Sequence, residues 1–231
     1  MMEWFLATDL WHSIYISLIE GSRWKTLLSG LGTTLTITVG AMILGTVLGI
    51  VLALMKISKV KPLKWISSIY IDIIRGTPVV VQLLIMYFVV FASVNVNKTV
   101  IAIIAFGLNS GAYVAEIIRA GILGVDKGQM EAGRSLGLTH GQTMARIIMP
   151  QAIKSILPTY ANEFIVLVKE TAVAGYIAIE DLTKMGDIIR SKTYEALVPL
   201  LIVALIYLFI TTILSKVFRH LEERMRASDS R

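Results

Sequence analysis

Apolar residues along this chain fall in long blocks, and the polar residues gather between the blocks instead of alternating with them. Five blocks run over about Leu27–Met55, Trp65–Phe91, Val100–Leu123, Ile153–Ile179 and Leu197–Val217. A helix rises ~1.5 Å per residue, so about 20 apolar residues cross a hydrocarbon layer ~30 Å thick. Each block is therefore predicted to be a membrane-spanning helix. Ahead of them, residues 2–22 set Trp4, Leu10, Trp11, Ile14, Tyr15 and Leu18 near one helical face, with Glu3, Asp9, His12 and Ser13 largely elsewhere. Aromatic-rich amphipathicity of this kind predicts a helix lying in the headgroup region. The pattern as a whole predicts an all-α polytopic membrane protein, one domain over 1–231.

Local breaks refine the outline. Pro78 lies inside the second block after Gly76-Thr77 and should bend or open that helix, since proline offers no N–H and clashes with the preceding turn. Gly45-Thr46-Val47-Leu48-Gly49 has small residues four apart, which lets another helix approach closely. It is read as packing within the subunit.

Basic residues set the topology. Lys56, Lys59, Lys61 and Lys64 follow the first span, Arg119, Lys127, Arg134, Arg146 and Lys154 surround the third connection, and Lys216, Arg219, Arg224 and Arg226 close the chain. Short cytoplasmic loops are enriched in lysine and arginine. The amino end is thus expected outside and the carboxyl end in the cytoplasm, with 92–99 and 180–195 as outer connections.

Composition agrees. Of 231 residues, 55% are hydrophobic and 16% charged, against about a quarter charged in soluble domains. The net charge of +6 does not argue for nucleic acid, because the cations sit between apolar blocks, where lipid headgroups and topology account for them. Cysteine is absent, which removes disulfides and thiolate metal sites. The three histidines fall outside the spans, so no metal site is expected. Glu3 and Asp9 replace the basic start of a secretory leader, and none is expected.

Between the third and fourth spans lies a polar, helix-compatible insert, 127–150. Glu131, Ala132, Gly133, Arg134, Ser135, Leu136, Gly137 and Leu138 are expected to form a short helix along the membrane surface. Gly137 and Gly141 would permit a break, and Thr139-His140-Gly141-Gln142 would begin a second helix. Gly133-Arg134-Ser135-Leu136-Gly137 also reads as G-x-S-x-G, but a nucleophile elbow needs a preceding strand and a triad acid and histidine in order. Neither is visible, and no enzyme is expected. The Walker signature is missing as well, since no glycine precedes a lysine anywhere in the chain.

Polar groups inside the spans are the remaining signal. Asp72 and Arg75 stand at i, i+3, where they are placed to pair, and Gln82 lies one turn beyond Pro78. Asn109, Ser110, Tyr113 and Glu116 mark the third span; Asn162, Glu163, Lys169 and Glu170 mark the fourth. An ionised group at bilayer centre costs about 3 kcal/mol even on insertion scales, so such groups face protein, water or substrate. Glu163 suits either a substrate contact or a structural pair; Asp72 and Glu116 suit structure better.

Glu131-Ala132-Gly133, then Gly137, then Ile147-x-Met149-Pro150 resembles the EAA motif of permease subunits in ATP-binding-cassette (ABC) importers. Gly133 stands where alanine is common and Met149 where leucine is common. Ile74-Arg75-Gly76-Thr77-Pro78 with Gln82 looks like the R-G-T-P-x-x-x-Q segment of the polar amino acid uptake subfamily, and Asn109 to Glu116 and Lys169-Glu170-Thr171 are similar to other segments of it. The likeness covers about Gly30 to Arg226. It implies a type I importer permease with five spans, an interfacial helix and a cytoplasmic coupling helix. The implied partners are a second permease subunit, identical or paralogous, two ATPase subunits gripping 131–138, an extracellular solute-binding protein and membrane lipid. ATP and magnesium would bind the ATPases, with no cofactor in this chain. Arg75, Gln82, Asn109, Tyr113, Asn162 and Glu163 are expected to line a pocket for a polar amino acid, with cationic substrates favoured over acidic ones. The alternative is an ion- or proton-coupled secondary transporter or channel, with Glu163 and Lys169 as its relay.

Overall fold

The structure, a computed structural model, describes residues 10–227, and among them it is helical with no strand. Residues 2–9 of the expected interfacial helix lie outside the described residues. The rest of it, 10–19, is helical (α1) and ends in a π turn, Tyr15–Ile19. Gly21 and Ser22 then take left-handed backbone angles, φ 61° and 55°. That turns the chain into α2, Arg23–Ile57, which runs 35 residues.

The second expected span is two helices. α3, Lys61–Arg75, has Pro62 in its first turn, where a missing N–H costs nothing. α4 begins after Pro78, covers Val79–Ile85 and continues through a π turn, Met86–Val90. The two are bent by 104° at the break. Proline accounts for the stop, because residue 78 cannot continue the hydrogen-bond ladder.

α5, Lys98–Leu123, is capped by the Asn97 side chain accepting from the Thr99 amide at 2.8 Å. It is followed by α6, Lys127–Ser135, and α7, His140–Thr143, with a π turn at Met144–Ile148. α8 spans Met149–Glu170 and runs into a 3-10 segment, Thr171–Ile177. α9, Leu182–Thr193, occupies the expected outer connection, and α10, Leu197–Ala227, closes the described chain. α10 outruns the expected 197–217 because nothing after Val217 breaks a helix.

By length and apolarity, Leu10–Ile57, Lys98–Leu123 and Leu197–Met225 can each cross a membrane, and Lys61–Arg75 with Val79–Val90 can do so as one broken span. α8 has the length, about 33 Å at ~1.5 Å per residue, but carries Lys154, Glu163, Lys169 and Glu170.

α2 and α5 form the centre of the bundle. A Cβ added to Gly45 would lie 3.1 Å from the Gly111 amide nitrogen, and one on Gly49 would lie 2.6 Å from Val114. In return, Gly107 receives Leu44 and Gly111 receives Leu48. The small residues at 45 and 49 thus serve packing within the subunit. Around this seam Ile37, Met42, Leu83, Phe106, Leu167 and Ile177 are buried together. Polar ties reinforce it: Thr46 Oγ1 lies 2.5 Å from Tyr160 Oη, joining α2 to α8. Thr34 Oγ1 accepts from the Leu182 amide at 3.1 Å, joining α2 to α9.

Candidate functional site

Two places carry the chemistry, a cavity in the bundle and the polar insert beside it. The cavity, about 290 Å³, is lined by Arg75 from the end of α3, Tyr113, Glu116, Ile117 and Ala120 from α5, and Thr159, Asn162 and Glu163 from α8. It lies near the lower limit of small-ligand pockets, about 300 Å³. Four expected site residues, Arg75, Tyr113, Asn162 and Glu163, are therefore brought together.

Glu163 is 8% exposed, and its Oε1 accepts from Ser110 Oγ at 3.1 Å across the α5–α8 contact. Burial of a carboxylate is expensive unless it is paired or hydrogen-bonded, and the Ser110 hydroxyl supplies such a bond. Arg75, an exposed residue, does not pair with Asp72: no ion pair joins them among the described residues. Its guanidinium lies instead 5.2 Å from the centre of the Tyr113 ring, a cation–π placement. The turn that ends α3 presents Arg75 toward α5, so a tertiary contact replaces the local i, i+3 one.

Glu116 lines the cavity but is already neutralised. It accepts from Lys56 Nζ at 3.2 Å and from Arg119 Nε at 3.0 Å, tying the end of α2 to α5. Thr159, Ile117 and Ala120 carry no chemistry that sequence alone would single out. Ser110 was visible beside Asn109, but its role depends on which helix packs opposite.

Gln82 and Asn109 lie elsewhere. Gln82 folds back over the break and bonds to Ile74 and Thr77, and Asn109, 3% exposed, donates to Gln82 at 3.0 Å.

In the insert, α6 starts at Lys127 because the Asp126 side chain caps it, accepting from the Gly128 amide at 2.6 Å. It stops at Ser135 because Leu136 caps the end and Gly137 turns left-handed, φ 82°. The helix is thus shifted toward the amino end of the expected 131–138 stretch, and 136–138 form its closing turn. Glu131, Ala132, Arg134, Ser135 and Leu136 are exposed, Leu136 to 81%. Gly133 alone of that group is buried, against Thr143 and Ile147. A capping box starts α7: Thr139 Oγ1 accepts from the Gln142 amide while Gln142 returns a bond to the Thr139 amide at 2.8 Å. The other side of the insert is held to the bundle. Met130 and Met144 pack on a buried cluster of Ile122 (α5), Ile148 at the end of the π turn and Ala152 (α8). The arrangement presents a polar surface with one large apolar tip outward, while its back is fused to two long helices.

Comparison with known proteins places these features. Residues 45–227 match the family model of binding-protein-dependent transport system inner membrane components. The arginine transport system permease protein ArtQ of Bacillus subtilis is 42% identical over 88% of this chain and 94% of its own length. The L-cystine transport system permease protein TcyB of the same organism is 39% identical over 95% and 94%, and a putative glutamine transport system permease protein of Rickettsia bellii is 41% identical over 84% and 90%. Among solved structures, an amino acid ABC transporter chain matches with TM-score 0.84 at 46% identity, over 89% of this chain and 96% of that one. A chain of the methionine ABC transporter in inward-facing form shares the fold at 20% identity, TM-score 0.77, over 90% and 99%. With the motif, the helical order and these likenesses in agreement, the chain belongs to the family of binding-protein-dependent transport system inner membrane components, as a permease subunit of the amino acid ABC importer kind.

Proposed function

We propose that this chain is one of two permease subunits that pass a polar amino acid, cationic in preference to acidic, through the membrane at the expense of ATP hydrolysed by partner ATPases. One observation carries the substrate reading: a buried carboxylate, Glu163, and a guanidinium in no ion pair among the described residues, Arg75, face the same cavity. Glu116, the other acid of the cavity, is already engaged by Lys56 and Arg119. A free amino acid brings the complementary pair of charges. Arg75 takes the carboxylate through charge-assisted hydrogen bonds, Glu163 takes the ammonium or a cationic side chain, and Tyr113 and Asn162 bound the site.

Five spans complete the reading, with α3–α4 as the broken second span and α8 as the fourth. Of the charges of α8, Glu163 faces the cavity, Lys154 and Glu170 are half-buried, and Lys169 is exposed. The basic clusters at 56–64, around α6 and after Lys216 favour an outer amino end and a cytoplasmic carboxyl end. An extracellular solute-binding protein delivers substrate at the outer connections. Inside, an ATPase with ATP and magnesium bound grips the exposed side of α6. Closure of the ATPases moves α6, and its fusion to α5 and α8 carries that motion to the cavity walls. This is a two-state bundle whose equilibrium the partner biases.

The test is Glu163→Gln in the reconstituted complex. Arginine binding and uptake should fall at least tenfold, the scale of a lost charge-assisted hydrogen bond, while glutamine is affected less. Unchanged arginine binding and uptake would remove the assignment.

A further inference from the structure

The Gln82 side chain bridges the break between α3 and α4. Gln82, in the first turn of α4, donates through Nε2 to the Ile74 carbonyl at 2.8 Å, the Thr77 carbonyl at 3.2 Å and Thr77 Oγ1 at 2.8 Å. The last carbonyls of a helix have no intrahelical donor, and Pro78 has no N–H to offer them. The Gln82 amide supplies what the proline withholds. Its Oε1 accepts from Asn109 Nδ2 at 3.0 Å. Both ends of this amide are therefore engaged with protein.

Consecutive residues of α5 hold the two halves of the bend. Tyr70 of α3 donates to the Leu108 carbonyl at 2.8 Å, and Asn109 holds Gln82 of α4. Tyr113, one helical turn further along α5 from Asn109, is the residue over which Arg75 lies. The side chains that set the bend and the ring that receives the guanidinium thus share one helical face.

We infer that Gln82 and Asn109 act as a positioning latch. The pair fixes the angle of the break and thereby aims Arg75 over Tyr113 into the cavity. The inference rests on the reading that Arg75 receives the substrate carboxylate, and the experiment separates the two.

The permease–ATPase complex in lipid nanodiscs is titrated with L-arginine and with agmatine, the same molecule lacking its carboxylate. The unsubstituted complex should prefer arginine by about tenfold, the size of one charge-assisted hydrogen bond, and Arg75→Ala should abolish the preference. Gln82→Met, of similar length but without donors, and Asn109→Leu should abolish most of it by weakening arginine alone. Equal weakening of both ligands would mean a general folding lesion and would overturn the latch. Loss of the preference in Arg75→Ala but not in Gln82→Met would overturn the latch and leave the cavity reading standing. A preference untouched by Arg75→Ala would overturn the cavity reading and the aiming of Arg75 with it. Nitroxides at Ile69 and Phe88, both exposed and on opposite sides of the break, read the angle independently. Gln82→Met should broaden their distance distribution, and an unchanged narrow distribution would refute the latch whatever the ligands do.

Discussion

The Arg75 guanidinium stands 5.2 Å from the centre of the Tyr113 ring, carried there by the end of α3 across to α5. The ring face steadies the cation without neutralising it, as a carboxylate would. A partly exposed cation–π contact contributes about 0.5–1 kcal/mol. Tyr113→Phe keeps the face and should leave the apparent KM for arginine uptake within about twofold. Tyr113→Leu removes it and should raise KM roughly two- to fivefold. Equal effects of the two substitutions would show that the hydroxyl, not the ring, matters.

Glu116 is the joint between Lys56 and Arg119, with side chains 17–29% exposed. Removing it strands two cations at the junction of α2 and α5. Glu116→Gln should destabilise the protein by about 1–3 kcal/mol, below the range for a fully buried pair. Thermal unfolding of the solubilised complex should show a lower midpoint, less so in a Glu116→Gln/Lys56→Met double variant. An unchanged midpoint in the single variant would make the joint dispensable.

Gly133 sits so close to α7 that an added Cβ would lie 2.5 Å from Thr143 Cγ2. Gly133→Ala should therefore push α6 from its seat, an overpacking cost of about 1–3 kcal/mol, and uncouple ATP hydrolysis from uptake. Thr143→Ser removes the offending methyl, and the double variant should recover coupling. Wild-type coupling in Gly133→Ala alone would show that α6 tolerates a different seat.

Leu136 is 81% exposed at the closing turn of α6, an apolar tip on a polar surface. Leu136→Asp should abolish co-purification of the ATPase without lowering the unfolding midpoint of the permease itself. Retained association would move the docking surface elsewhere on the chain.

The long helices were legible because apolar blocks of that length have few other uses, and Pro78 announced the break. Its 104° angle was not, because proline stops a ladder without setting where the next helix points. Arg75 shows the same limit. Its spacing from Asp72 suggests a pair, yet the ring that holds it lies 38 residues away in sequence, beyond any local pattern. Gln82 and Asn109 were recognised as intramembrane polar groups, but an amide serves a ligand or a backbone equally well until its neighbours are known. The start of α6 was more readable than its expected bounds suggest: Asp126 ahead of Lys127 is an ordinary N-cap signal.

The glycine seam between α2 and α5 limits how this protein can work. With Leu44 and Leu48 seated against Gly107 and Gly111, and Gly45 and Gly49 pressed to the opposite backbone, neither helix can slide without driving a side chain into a main chain. The two behave as one stiff plank. Opening and shutting must then come from the elements packed around it, such as α8 where it tightens into the 3-10 segment at Thr171, while α2 and α5 travel together as one body.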